Sequence, residues 1–228
     1  MNRKMTVLFA ILAIIMIASG CGGGGGGSGR YTIPTEIPTP GTGGGGSIAD
    51  ADVDSLIASA WEDFAYGAYS SATSKFNQAL SIDTITDTQK VKAYNGLGWS
   101  LTRATGLESG YSAFTQSSAA NNEAKIGLAS ALIQRGDMVS MGEALRLLEE
   151  IGLKDLTYVF ASTNPIEISN AEAHAMLSWC YFWRNNTAKD DYENAKKQIY
   201  LAIGEDPSTD GSVGQIYKSM RALGLPGL

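Results

Sequence analysis

The sequence predicts an all-α protein built from repeated helix pairs, and two segments with one shared pattern carry that prediction. In residues 67–83 and 190–207, large and small side chains recur at offsets of three, seven and ten residues. These offsets place the side chains on one stripe of a helix. Because the rest of each helix is polar, the stripe must be buried against a neighbour, and a pattern that recurs predicts a stack. An irregular helical bundle is the alternative.

The stripe consists of Tyr69, Ala72, Phe76 and Ala79 in the first segment, and of Tyr192, Ala195, Ile199 and Ala202 in the second. Together with Gly67 and Pro207, this order of residues resembles the tetratricopeptide repeat, a helix pair of about 34 residues. The second segment departs from the family at Ile199, which replaces an aromatic residue, and at Asp191, which stands where Gly67 stands in the first. The resemblance covers roughly 53–207 and implies a right-handed superhelix of about four antiparallel pairs.

Further copies of the large-and-small pattern, together with helix start signals, divide the rest of residues 53–207 into helices. In the second pair, Gly98 takes a core position of the first helix, and Gly110 and Phe114 take the places of Ala72 and Phe76. Two capping boxes, Thr86 with Gln89 and Ser169 with Glu172, and one N-cap, Asn121, mark helix starts.

Residues 152–168 interrupt the repeat pattern. The run from Thr157 to Phe160 favours β structure, and Asn164 precedes Pro165, where a helix is disfavoured. We therefore expect a long insertion before the fourth pair. After the fourth pair, apolar residues at helical spacing over about 212–223 predict a C-terminal capping helix that covers the last exposed stripe.

Residues 1–20 are predicted to be a lipoprotein signal peptide. Arg3 and Lys4 precede an apolar run that ends at Ala18 and is too short to span a membrane. The small residues before Cys21 resemble a bacterial lipobox, which implies lipidation of Cys21 and cleavage that makes it the mature N-terminus. An ordinary signal peptide cut nearby, or an uncleaved anchor, is the alternative.

Residues 21–46 are predicted to be the lipidated Cys21 followed by a flexible tether. Two runs of Gly flank the Pro-bearing stretch TIPTEIPTP, and the segment has too few apolar groups to offset the entropy of ordering it. A partner that binds its prolines is the alternative. Residues 47–228 then form one tetratricopeptide-like domain, long enough to bury a continuous core.

The charge of the chain disfavours a nucleic-acid partner, and its cysteine content disfavours an internal disulfide. The chain has 17 Lys and Arg against 23 Asp and Glu. Loss of the signal removes two basic residues and no acidic ones, which leaves 15 against 23 and a formal charge of −8. We expect no nucleic-acid partner for so acidic a protein. With Cys21 lipidated, Cys180 has no partner for an internal disulfide.

The sequence contains none of the common catalytic patterns, such as a Walker A loop, GxSxG, HExxH or CxxC. We therefore expect no enzymatic activity, no cofactor and no metal. His174, the single histidine, is expected at a surface or partly packed position, and Cys180 is expected to be a small buried hydrophobe. An enzyme centred on His174 is the alternative.

The family resemblance implies that the first helices of the pairs line a concave, ligand-binding groove, and on this register Trp61, Trp99 and Trp179 share one repeat position. The expected groove residues are Trp61, Phe64, Lys92, Asn95, Trp99, Arg103, Trp179 and Trp183. Aromatic rings beside basic and amide groups suit an extended peptide or its terminal carboxylate. The tryptophans could equally be buried between pairs, and the sequence leaves both interpretations open.

The expected function is a membrane-anchored, non-catalytic scaffold of the bacterial cell envelope. Its expected partners are an envelope protein or peptide in the groove and the membrane at the N-terminal lipid. Gly22 after the lipidated Cys favours the outer membrane, facing the periplasm, if sorting resembles that of enteric bacteria. The alternative is a small-molecule or lipid carrier in which the insertion closes a pocket.

Overall fold

The computed structural model describes residues 50–184, 189–225 and 227–228. Over these ranges the chain forms nine α-helices and no β-strand, so the predicted all-α class is confirmed. The helices are α1 (Asp50–Ala65), α2 (Tyr69–Leu80), α3 (Asp87–Thr105), α4 (Leu107–Ser117), α5 (Asn122–Arg135), α6 (Met138–Ile151), α7 (Asn170–Arg184), α8 (Lys189–Glu205) and α9 (Ser212–Ala222).

The helices pack in the order in which they follow along the chain. Each of them contacts the next one, from α1 through to α9. The odd-numbered helices also contact one another in sequence, α1 with α3, α3 with α5, α5 with α7 and α7 with α9. We call the surface they form the odd-helix layer. Packing of each unit on its neighbours is the arrangement that a repeated amphipathic helix requires.

Three of the four residues in each predicted stripe are buried, whereas Tyr69 and Tyr192 are partly buried. Ala72, Phe76 and Ala79 in α2 and Ala195, Ile199 and Ala202 in α8 are all fully buried. At the start of α3, Thr86 N donates to Gln89 Oε1 at 3.0 Å, which completes the predicted capping box. Asn121 caps α5 by accepting a hydrogen bond at its side-chain oxygen. The starts predicted at Thr86 and Asn121 therefore coincide with the starts of α3 and α5.

Glycines allow two helices to approach buried phenylalanine rings. A Cβ atom on Gly98 would lie closer than 3.0 Å to the ring of Phe114, which belongs to the same pair. A Cβ atom on Gly96 would meet Phe76 of the preceding pair in the same way, and one on Gly127 would meet Phe114. Each ring is thus packed between its own pair and the next. The sequence analysis identified Gly98 but missed Gly96 and Gly127.

The insertion at 152–168 contains no helix and no strand. Leu153, Phe160 and Ile166 are buried in the core, so the segment packs on the helices instead of projecting from them. Gln198 of α8 donates to the Leu153 carbonyl oxygen at 2.9 Å. The β-favouring run stays irregular because a strand needs a neighbouring strand to satisfy its backbone, and the described residues offer none.

His174 in α7 is fully buried, which corrects the expectation of a surface or partly packed position. Its Nδ1 lies 2.5 Å from Gln198 Oε1, and its Nε2 lies 3.3 Å from the Tyr158 carbonyl oxygen. The histidine is buried because α8 and the insertion cover this part of α7. Cys180 is also fully buried, as expected, and burial raises the pKa of its thiol, which keeps the sulfur protonated.

The two ends of the chain differ in what the structure describes. Helix α9 packs on α7 and α8 and buries Val213, Ile216 and Met220, as predicted for a capping helix. The predicted signal peptide at 1–20 and the lipidated Cys21 with its tether at 21–46 lie outside the described residues. Among the helices that are described, none combines the length and the apolar character needed to cross a membrane.

Candidate functional site

Three of the five aromatic residues expected in the groove lie in the hydrophobic core. Phe64, Trp99 and Trp179 have exposed fractions of only 3%, 2% and 2%. They therefore do not line an open surface, which corrects the groove as it was expected from the sequence. The cause for Trp99 is that α3 packs against α1, α2, α4 and α5, so its aromatic position has neighbours on every side.

Trp61, which the sequence register places at the same repeat position as Trp99, is only partly buried. Its ring meets Phe76 edge to face, with centroids 5.3 Å apart, as the ring of Trp99 meets Phe114 at 5.2 Å. In the first two pairs, the tryptophan of the first helix thus makes the same kind of contact with a phenylalanine of the second helix. Trp183 packs beside Trp179, with ring centroids 6.0 Å apart.

A cleft with a volume of about 330 Å³ opens beside Trp61. It lies between α1, α3, the start of α5 and the insertion, and it is lined by Ile57, Trp61, Lys92, Asn95, Asn121, Thr163 and Asn164. Trp61, Lys92 and Asn95 are expected groove residues that the structure brings together here. Trp179 and Trp183 do not line this cleft.

Glu123, in the first turn of α5, joins the cleft to the insertion. The residue is 5% exposed, and its carboxylate accepts hydrogen bonds from the Thr163 backbone N at 2.5 Å and the Asn164 backbone N at 3.0 Å. It also accepts from Thr163 Oγ1 at 2.9 Å, Asn164 Nδ2 at 2.6 Å and Asn95 Nδ2 at 2.7 Å. The sequence analysis missed Glu123, whose only signal was its place in a first helical turn.

Glu123 also fixes the orientation of the Asn95 amide. A carboxylate can only accept hydrogen bonds, so the nitrogen of that amide must be the atom that faces it. Asn95 is 1% exposed, and its Oδ1 is buried without a hydrogen-bond partner in the described part of the chain. Leaving a buried acceptor unsatisfied costs about 1–3 kcal/mol. The wall of the cleft therefore contains an unsatisfied acceptor that is itself buried.

Lys92 lies at the open rim of the cleft and is paired with Asp54 of α1. Its Nζ is 3.2 Å from Asp54 Oδ1, and both side chains are about half exposed. Gln89 donates to the other oxygen of Asp54 at 3.1 Å. The hydrogen bond from Gln89, followed by that from Lys92, lowers the pKa of Asp54. The rim is thus charge-balanced at neutral pH.

Arg103, near the end of α3, binds the insertion and does not line the cleft. Its Nη2 donates to the Ile166 carbonyl oxygen at 2.8 Å and to Glu167 Oε2 at 3.1 Å. The Arg103 side chain is only 8% exposed. Glu167 has a φ of 59°, a left-handed conformation that is uncommon outside glycine, and its side chain pairs with Arg103. The arginine that we expected to bind a ligand therefore holds a segment of its own chain.

The described residues include no group of three or more His, Cys, Asp or Glu side chains that could hold a metal ion. The chemistry available at the cleft is hydrogen bonding and aromatic contact. No family model, no curated protein and no solved structure matches this chain.

Proposed function

We propose that this protein is a non-catalytic interaction scaffold whose odd-helix layer binds a segment of an envelope protein or peptide. The scaffold is a right-handed superhelix of four tetratricopeptide-like pairs capped by α9, and its concave face is the odd-helix layer. A lipid on Cys21 tethers it to a bacterial membrane, in the outer membrane and facing the periplasm. Nucleic acid is not a partner, because the mature chain is strongly acidic.

One observation carries this proposal: the odd-helix layer already holds a non-helical segment of its own chain. We call residues 163–167 the resident segment. Arg103 donates to a main-chain carbonyl of this segment, and Glu123 accepts from two of its main-chain N–H groups. Ile166 is fully buried at the same place. A surface that satisfies main-chain groups and buries one apolar side chain has the properties of a peptide-binding face.

A partner segment would take the place of the resident segment. Because the resident segment belongs to the same chain, it competes at an effective concentration of the order of millimolar. The partner must therefore supply more contacts than the resident segment, or the resident segment must first be weakened. This requirement gives a direct test with a peptide of known sequence.

The test uses a labelled peptide that copies residues 160–168 and the full chain with the double substitution Thr163→Ala and Asn164→Ala. The substitutions remove side-chain hydrogen bonds from the resident segment but leave Arg103 and Glu123 intact. Fluorescence anisotropy should detect binding to this variant and weaker binding to the native chain. Adding Glu123→Gln should reduce binding at least tenfold, as expected when a charge-assisted acceptor is lost. Equal absence of binding to all three proteins would refute the peptide-binding role.

The membrane tether is tested separately through Cys21→Ser, which removes the sulfur that the lipid requires. The full chain should be retained with membranes, and the substituted chain should appear in the soluble exported fraction. Retention of Cys21→Ser with membranes would contradict the lipid anchor and leave the peptide test unaffected.

A second candidate function, a carrier of a small molecule, is favoured by the cleft beside Trp61. Its volume of about 330 Å³ is in the range of small-ligand sites. Five of its seven lining residues are polar, which favours a polar small molecule over a lipid.

A further inference from the structure

The single histidine of the chain lies in a line of contacts that ties the start of the insertion to α7 and α8. Gln198 of α8 donates from Nε2 to the Leu153 carbonyl oxygen at 2.9 Å. Gln198 Oε1 faces His174 Nδ1 at 2.5 Å, and His174 Nε2 faces the Tyr158 carbonyl oxygen at 3.3 Å. We call this line of three contacts the histidine latch. Both of its ends are main-chain carbonyls of the insertion.

The latch is complete only when His174 carries a proton on each ring nitrogen. The two carbonyls at its ends can only accept, so its three contacts need three donated protons. The Gln198 amide presents its oxygen to one neighbour and its nitrogen to the other, and in either orientation it donates across only one of the two contacts. A neutral imidazole adds one proton, which leaves two acceptors facing each other. An imidazolium adds two, and all three contacts become hydrogen bonds.

The charged groups around α7 do not explain the contacts of the ring, which are both to neutral acceptors. Carboxylates on the elements packed around α7 have other donors: Glu123 of α5 accepts from Asn95, Glu149 of α6 from Tyr181, Glu205 of α8 from Asn170, and Asp155 and Glu167 of the insertion from Thr157 and Arg103. Glu172 of α7 itself accepts from Ser169 and Ser212. Among the bases, Lys154 and Lys197, which adjoin latch residues in sequence, are exposed, and Lys218 of α9 pairs with Asp210. A second proton on His174 is therefore favoured by two acceptors and opposed by burial.

Little apolar packing holds the stretch that the latch fastens. Leu153 and Phe160 are buried at its two ends. Between them, Tyr158 is partly buried and the other side chains of 154–159 are exposed. A stretch with so few buried side chains opens at a low free energy, so its main-chain hydrogen bonds contribute a large share of what keeps it closed.

We propose that His174 is a pH-sensitive latch, in which uptake of a second ring proton fastens residues 153–159 to α7 and α8. The proton comes from solvent, and the only bond formed is the new N–H. Because the closed latch holds this proton between two acceptors, closing is favoured as the pH falls, and the contribution is lost as the pH rises. The resident segment is held by Glu123 and Arg103 instead, so the latch does not rest on peptide binding.

The first experiment follows the ring itself in the full chain, expressed without a histidine tag. Because the chain has one histidine, ¹⁵N NMR of imidazole nitrogens reports on His174 alone. The two nitrogen shifts are widely separated in a neutral ring and similar in an imidazolium. Their separation should collapse between about pH 8 and about pH 5, where imidazoles titrate. A ring that is still neutral at the acid end, or already charged at the other, would overturn the latch.

The second experiment measures whether the proton closes the segment. Amide hydrogen exchange is compared at about pH 5.5 and about pH 7.5, on either side of the usual imidazole range, with each rate divided by the intrinsic rate at that pH. Protection of 153–159 should rise about tenfold at the lower pH, as expected for one added charge-assisted hydrogen bond. Protection of α1 should stay unchanged. Loss of protection at the lower pH would show that burial of the charge outweighs the bond, which would refute the proposal.

Two variants tie the effect to the ring. His174→Gln cannot take up a proton in this range, so the difference in protection between the two pH values should vanish. Asp155→Asn is the matched control, because it removes a carboxylate of the same stretch whose hydrogen bonds go to Thr157. It should keep the difference. A difference that persists in His174→Gln, or disappears in Asp155→Asn, would assign the pH dependence to another group. If His174→Gln does not fold, the ring titration and the exchange of the native chain decide the proposal.

Discussion

The first and second helix pairs each pack a tryptophan edge-on against a phenylalanine, yet the two tryptophans differ in accessibility. Trp61 is partly buried and lines a cleft, whereas Trp99 is 2% exposed. Local sequence cannot account for this difference, because the ring contacts with Phe76 and Phe114 are nearly the same.

The difference arises from the neighbours of each pair in the stack. Helix α3 has α1 on one side and α5 on the other, while α1 is the first helix of the odd-helix layer that the structure describes. Because α5 packs on α3 in addition to α1, α2 and α4, the aromatic position of α3 has more neighbouring helices than that of α1. In a stacked fold, the same residue therefore changes role with its distance from the end of the stack.

The largest effect that tests this comparison is expected from Trp99→Ala. Truncation of this buried ring should lower the free energy of unfolding by about 3–5 kcal/mol, because it leaves a cavity in the core. Trp61→Ala should cost about 1–2 kcal/mol, since part of that ring is already exposed. Urea denaturation followed by circular dichroism measures both values. Equal costs for the two variants would contradict the difference in burial.

A smaller loss of stability is expected where α3 contacts the Phe76 ring of the first pair. Gly96→Ala should lower the free energy of unfolding by about 1–3 kcal/mol, because its new Cβ would overlap the Phe76 ring. The matched control is Gly142→Ala in α6, where an added Cβ meets nothing within 4 Å. That change should stabilise the protein by about 0.5–1 kcal/mol through helix propensity. Thermal melts should show a lower melting temperature for Gly96→Ala and a higher one for Gly142→Ala. Shifts of the same sign in both variants would contradict the prediction.

The contacts of the insertion provide a third test. Arg103→Ala removes the donor to Ile166 and the partner of Glu167, and should cost about 1–2 kcal/mol. Hydrogen exchange at the amides of 163–168 should accelerate more than exchange in α1. Lys92→Ala is the control at an exposed ion pair and should change stability by less than about 0.5 kcal/mol. Unchanged exchange in Arg103→Ala would mean that other contacts hold the segment.

The smallest expected effect is the pH dependence of a contact within the first pair. Lys75 of α2 lies 2.8 Å from Asp63 of α1, and hydrogen bonds from Lys75 and then Ser71 lower the pKa of Asp63. Because the folded pKa lies below the unfolded one, this contribution is present above about pH 4 and is lost as the pH falls through the folded value. Asp63→Asn should therefore flatten the dependence of the melting temperature on pH below about 4. An unchanged acid slope would exclude Asp63 as a contributor.

Helix placement was predictable because its causes are local. The stripes of α2 and α8, the capping box at Thr86 and the N-cap at Asn121 each depend on residues within a few positions of one another. The burial of Trp99 and Trp179 was not predictable in the same way. An exposed aromatic stripe and a buried one have the same spacing, and only the packing of distant elements separates them.

The cleft was predictable in part. The repeat register placed Trp61, Lys92 and Asn95 on one expected face, and in the structure all three line one cleft. The roles of Glu123 and Arg103 depend on the route of the insertion, and an irregular segment has no periodicity from which a route can be derived. The contacts that close the cleft on the side of Thr163 therefore required the three-dimensional structure.

The insertion also has a consequence for how the chain folds. In a simple helical stack, nearly all contacts are between units adjacent in sequence, and such proteins have low contact order. Here the insertion adds links between residues 63, 41 and 45 positions apart, at Arg103 with Ile166, Glu123 with Asn164, and Leu153 with Gln198. Since these contacts join α3, α5 and α8 to one segment, we expect them to couple the last three pairs into one cooperative unit. We expect the first pair, which the insertion does not join to another helix by these bonds, to open at the lowest free energy.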